Sequence, residues 1–184
     1  MNLNKIQFSK YLNSENQYYN FINETEYVFN DSNASQFTIT NNLSAELEFN
    51  SRKYIIKPIT NFFILNSFKI LEDDIVIGKI DYWGWTWKKP KLKITINSEE
   101  QVWIFERYEP NLLKKRANPY KTKLTSESKQ INFEIYNELL EVNKIKFKEK
   151  YSIKGTAIYG DNDKLVCLIG IFLNELLVFD EIEK

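Results

Sequence analysis

Three tryptophans, Trp83, Trp85 and Trp87, stand at i, i+2 and i+4 in the stretch IDYWGWTWKKPKLK, and four lysines, Lys88, Lys89, Lys91 and Lys93, accompany them. In an extended chain, residues two apart share a face, so the three indoles line up on one side. Indoles beside ammonium groups suit an anionic membrane interface, where the ring inserts and the cation meets a headgroup. They suit equally a protein interface with aromatic anchors, or a platform on which bases stack. Against these stands the plain use of three tryptophans as core. A second basic cluster, Lys114, Lys115 and Arg116 in LLKKRANPYKTK, would add phosphate-binding charge from a surface loop.

Other chemistries are poorly supplied. The chain has no histidine, which removes imidazole bases, Ser-His-Asp and Cys-His arrangements, and His-ligated zinc. Its one cysteine, Cys167, excludes an internal disulfide or a CxxC site, and its apolar neighbours mark it as packing. The carboxylate pairs Asp73–Asp74 and Glu99–Glu100 are turn neighbours that face different ways, with no base or nucleophile beside them. Asp161-Asn162-Asp163 is too short for a calcium loop and reads as a turn. The expectation is a protein that is not an enzyme, with no catalytic residue, no metal site and no cofactor.

Charge narrows the partner. The 25 basic and 25 acidic residues cancel, which disfavours nucleic acid. They are unevenly spread. Residues 83–123 hold ten basic and four acidic groups, whereas 1–50 and 161–184 each hold two basic and six acidic. A basic belt thus lies between acidic ends, and a solvated, self-neutralising surface is its simplest use. The N-terminal stretch MNLNKIQFSKYLNSENQ lacks an apolar signal region, so a cytoplasmic location is expected.

The elements that must position these residues are strands. Aromatics reach 15%, which suits a pleated surface. AELEF (45–49) and KYIIKPI (53–59) flank Asn50-Ser51-Arg52, a hairpin signal. KLKITI (91–96) alternates and turns through Asn97-Ser98-Glu99-Glu100 into QVWIF (101–105), while KGTAIYG (154–160) is a late strand. Residues 106–130, polar and carrying Pro110 and Pro119, read as a long loop or a loop with one short helix. FKILEDDIVIGKI (68–80) aligns without gaps on FEIYNELLEVNKI (133–145), which predicts two equivalent hairpins in a duplicated sheet. The same offset sets Trp83, Trp85 and Trp87 on Lys148, Lys150 and Ser152, so at least one indole is expected to be exposed.

The run LVCLIGIFLNELLVFD (165–180) is the one long apolar segment. It is too long for a single buried strand and too short and polar, at Asn174 and Glu175, for a membrane span. An all-round apolar helix belongs inside a core, and a closed sheet is the simplest way for one domain to surround it. Residues 165–179 are therefore expected to form a buried helix, with Glu175 finding a basic or hydrogen-bonding partner.

On these residues the chain resembles the tubby C-terminal-like superfamily, of the phospholipid scramblase and LURP-one-related type. The ending Phe172-Leu173, Glu175, Leu177, Phe179, Asp180 and the unit FKILEDDIVIGKI carry the likeness, over about residues 45–182. The resemblance implies a mainly β fold: a closed or nearly closed antiparallel barrel of about twelve strands, pseudo-duplicated, around the C-terminal helix. The cysteine cluster, Pro-rich segment and acidic calcium segment of animal scramblases have no counterpart here, so calcium-dependent scrambling is not implied. The expected protein is a single domain over 1–184, with 1–44 an extension or the first strands. It acts as a non-catalytic binding module for anionic lipid headgroups or phosphates, with no transmembrane segment. The alternative is a cytoplasmic protein-interaction, inhibitor- or immunity-type protein.

Overall fold

Alternation is the rule along this chain. Ser44–Phe49 hides Ala45 and Leu47 and exposes Glu46 and Glu48; Lys91–Ile96 hides Leu92 and Ile94 and exposes Lys93 and Thr95. A period of two with one apolar face is a strand with one side on a core. In the computed structural model, which describes residues 3–14, 25–30, 36–40, 44–61, 64–81, 90–107, 120–143 and 148–182, twelve such strands form one sheet. They are β1 (Leu3–Ser14), β2 (Thr25–Phe29), β3 (Gln36–Thr40), β4 (Ser44–Phe49), β5 (Arg52–Asn61), β6 (Ile64–Glu72), β7 (Ile75–Asp81), β8 (Lys91–Ile96), β9 (Glu99–Arg107), β10 (Tyr120–Thr125), β11 (Gln130–Asn143) and β12 (Lys148–Gly160). Each pairs antiparallel with its sequence neighbour, and β1 closes the barrel on β12, from Leu3 opposite Gly160 to Ser14 opposite Glu149. Closure gives every described strand a neighbour on both sides for at least part of its length, which limits the edge open to a further strand.

Three tight turns hold the register of the middle strands. Asn50-Ser51, Asp73-Asp74 and Asn97-Ser98 all have positive φ at both residues, the geometry whose twist matches paired strands. The expected turns at 50–52 and 97–100 are thus shorter than read: Arg52, Glu99 and Glu100 already belong to strands.

The C-terminal run is α1 (Lys164–Ile182). Residues 165–174 and 176 are all buried. Side chains from widely separated strands meet it: the Phe172 ring packs edge-on against Phe68 of β6 at 5.1 Å, and Gly170 faces Phe133 of β11 and Leu124 of β10. A helix touched from several sides lies within the barrel, and its apolar circumference fills the space that twelve inward faces enclose. Gly170 is what lets it come so close. A Cβ there would stand 2.3 Å from Phe133 Cζ. Gly155 of β12 similarly seats the ring of Phe8, its cross-strand partner on β1. Among the described residues, no helix is long and apolar enough to cross a membrane.

Two expectations fail. Residues 133–145 are no hairpin: through Asn143 they continue β11, which pairs along its length with β12 apart from one register shift between Leu139 and Glu141. The turn Asp73-Asp74 aligns with Glu138-Leu139, and a Glu-Leu pair does not take positive φ at low cost. The chain therefore runs on extended. The segment 106–130 is not one loop either, because β9 continues to Arg107 and YKTKLT forms β10 with Thr122 and Leu124 inward.

Candidate functional site

The helix brings three polar groups into the barrel. Asn174 Nδ2 donates to the Gly170 carbonyl at 2.8 Å, and its Oδ1 accepts from Thr122 Oγ1 at 2.6 Å, so a wholly buried amide is satisfied. One residue on, Glu175 forms an ion pair with Lys10 of β1 and accepts a hydrogen bond from the Tyr27 hydroxyl of β2 at 2.5 Å. The Lys10 ammonium also sits 5.2 Å from the Tyr27 ring centre. Lys10 is 1% exposed and Glu175 19%, so the pair is largely internal. At the other end of the helix, buried Asp163 accepts from Lys129 at 2.8 Å, while its carbonyl takes the first helical hydrogen bond from Cys167 N. These arrangements pin the helix in the barrel. Each polar group has its partner, as burial demands.

Cys167 is fully buried, and desolvation pushes its thiol well above the ordinary range. A thiol so held is not a nucleophile at neutral pH. Among the described residues, no three His, Cys, Asp or Glu side chains gather to hold a metal ion. Asp73 and Asp74 stand exposed in their turn, and Glu99 and Glu100 are successive residues of one strand.

The surface is where the basic residues gather. Trp83, Trp85, Trp87, Lys88 and Lys89 lie outside the described residues, in the connection between β7 and β8; so do Lys114, Lys115 and Arg116, between β9 and β10. Lys91 and Lys93 are on β8, and the pairing gives them company that spacing alone did not reveal. Lys93 is opposite Lys79 of β7, Lys79 opposite Lys69 of β6, and Lys69 opposite Lys57 of β5. Four lysines thus form one row across four adjacent strands, about 14 Å long at the usual strand spacing. In the neighbouring row Lys91 faces Asp81.

Several cations elsewhere on the described wall have acidic partners. Lys53 pairs with Glu46 at 2.7 Å, Arg52 with Glu72 at 2.5 Å, Lys123 with Glu106 at 2.9 Å and Lys121 with Glu134 at 3.6 Å. In the row, Lys79 reaches Asp81 at 2.7 Å, while Lys57, Lys69 and Lys93 have no carboxylate partner among the described residues. Like charges directly opposite one another oppose sheet pairing. Beside the row, Ile55, Leu71 and Val76 follow one another across β5, β6 and β7, and Val76 and Ile75 are 61% and 70% exposed.

Sequence reasoning found Lys91 and Lys93 but missed Lys57, Lys69 and Lys79. Each of those is a lone lysine in an alternating strand, and only the register joins them.

Comparison with known protein families, curated proteins and solved structures finds no match to this chain.

Proposed function

We propose that this barrel is a non-catalytic, single-domain binding module that works through its outer surface, with another protein as its partner. The observation that carries the reading is the filled interior. An open barrel of this size holds a ligand inside, whereas here α1 occupies the enclosed space with buried apolar side chains from Leu165 to Leu176. Recognition is left to the wall and the connections. A small inhibitor- or immunity-type role in the cytoplasm fits such a module. The barrel built around a helix agrees, at the level of fold, with the tubby-like resemblance, and membership of that superfamily is part of the proposal.

The second reading, an anionic lipid or phosphate surface, is favoured by one specific observation. Lys91 and Lys93 stand at the start of β8, directly after the connection that carries Trp83, Trp85, Trp87, Lys88 and Lys89. The test is affinity capture with the full chain from its native extract, followed by reconstitution with the purified partner and, in parallel, flotation with vesicles of phosphatidylserine in phosphatidylcholine. Saturable binding to one purified protein supports the first reading. Binding to vesicles alone, weakened by salt, replaces it with the second.

A further inference from the structure

We infer that the outer face of β5–β8 is the docking site for an acidic protein, with the row Lys57, Lys69, Lys79 and Lys93 meeting its carboxylates and the tip residues Ile75 and Val76 giving an apolar anchor. This rests on the binding-module reading and names the surface and the chemistry of the partner.

The row is a cost to the free protein. Its four ammonium groups lie opposite one another on adjacent strands, although the same wall supplies Lys53, Lys121 and Lys123 with acids. A sheet free of other demands lowers its energy by alternating charge across strands. Three of the four, Lys57, Lys69 and Lys93, have no carboxylate partner among the described residues; such a row is the arrangement that carboxylates of a partner complete, and it also steers their approach.

The apolar neighbours point to a protein. Ile75 and Val76 are exposed at the tip, and Val76 continues a cross-strand line through buried Leu71 and half-buried Ile55 beside the lysines. Charge beside exposed aliphatic groups is the composition of a protein interface, in which apolar contact supplies a centre and ions a rim. The tip of the hairpin disfavours a bilayer. Exposed Asp73 and Asp74 stand at the apex, ahead of Ile75 and Val76, so an anionic membrane approached end-on meets carboxylates first. At the row β6, β7 and β8 are already paired on both sides, so a partner there reads side chains.

The test titrates the labelled full chain with two acidic polypeptides, poly-L-glutamate and a glutamate–tyrosine copolymer, and with phosphatidylserine–phosphatidylcholine vesicles. Three variants are compared with wild type. One changes Lys57, Lys69, Lys79 and Lys93 to Gln. A second, matched in net charge, changes Lys5, Lys53, Lys121 and Lys154 to Gln. The third carries Ile75→Ser and Val76→Ser. Thermal melts confirm folding, and the row variant is expected to melt no lower than wild type.

The expected result is saturable binding of both polypeptides by wild type, weakened about tenfold or more in the row variant and less than about twofold in the matched control. The copolymer should bind more tightly than polyglutamate, and that advantage should vanish in the Ile75→Ser, Val76→Ser variant. Equal losses in row and control variants overturn the inference, as do tighter binding to vesicles than to either polypeptide, or self-association of the wild type through the row. A purified native partner that binds the row variant as tightly as wild type also overturns it, yet leaves the module reading standing. Recovery of no protein partner overturns that reading instead, and the titration still reports separately on the row.

Discussion

Glu175 is held by the barrel wall through two side chains. With Asn174 it forms the polar notch of a helix whose other described buried side chains are apolar, and two strands, β1 and β2, each send it one group. Removing a single member of a buried pair strands the other charge, which costs about 3–5 kcal/mol. Glu175 keeps 19% exposure, so water relieves part of that. Lys10→Met should therefore lower stability by about 3 kcal/mol in urea unfolding, and Tyr27→Phe by about 2 kcal/mol. Lys10→Met together with Glu175→Leu should recover most of the loss, because a buried pair is often no more stable than apolar groups of similar volume. A double variant as weak as Lys10→Met alone would show that the pair contributes more than mutual neutralisation.

Cys167 gives a pH dependence. Its thiol is raised by burial, so the folded chain keeps the proton that the unfolded chain loses near pH 8.5. Above that point the unfolded state binds fewer protons. Stability is then intact below about pH 8.5 and falls above it, by up to about 1.4 kcal/mol per pH unit. Urea midpoints at about pH 8 and about pH 10 should differ more in wild type than in Cys167→Ala. Ellman's reagent should label Cys167 only as fast as the protein unfolds.

At the scale of elements, contact between helix and wall is decided by Gly170. Ala at this site is favoured by helix propensity by about 1 kcal/mol. Its methyl would meet Phe133 Cζ at 2.3 Å and Leu124 Cδ1 at 2.8 Å, and overpacking of a filled core costs about 1–3 kcal/mol. Gly170→Ala should be destabilising on balance, and Phe133→Leu in the same chain should return part of the loss. Equal melting of Gly170→Ala and wild type would mean that the helix can shift within the barrel.

The lysine row also makes a stability prediction. Lys69 lies between Lys57 and Lys79, so Lys69→Glu turns two repulsions into two attractions. Each cross-strand pair is worth about 0.2–1 kcal/mol, and the variant should be more stable than wild type by about 1 kcal/mol in low salt, less in high salt. A surface residue whose reversal stabilises the fold is one retained for something other than folding.

For the whole molecule, closure should be the slow step of folding. Leu3 pairs with Gly160, and Asn4 donates to Asp161 at 2.8 Å across 157 residues. Contacts so distant in sequence are costly to form early. Refolding should accordingly take milliseconds to seconds, in the range of β proteins of high contact order. Deleting residues 164–184 would remove the buried side chains from Leu165 to Leu176 and leave an empty enclosure, which a close-packed protein cannot tolerate. Such a truncation should show no cooperative thermal transition by circular dichroism.

What could be read from the chain alone was what local residues decide. The run 165–179 read as a buried helix, since its length excludes one strand and its apolar circumference excludes a surface; 165–174 and 176 are buried. Glu175, in that setting, had to find a partner. Strands 45–49, 53–59 and 91–96 were legible by alternation, and Asp73-Asp74 by turn chemistry. The likeness of 133–145 to 68–80 misled, because apolar alternation is the same in a hairpin arm and in one long strand. The difference lies in two turn residues, Glu138 and Leu139. Which groups meet was decided only in three dimensions. Lys10 and Tyr27 reach Glu175 because β1 and β2 close the barrel, and Lys57, Lys69, Lys79 and Lys93 align because register sets them opposite one another. Periodicity tells which face a side chain takes. Its neighbours on that face belong to other strands, and their positions are fixed by hydrogen-bond pairing between segments far apart in the chain.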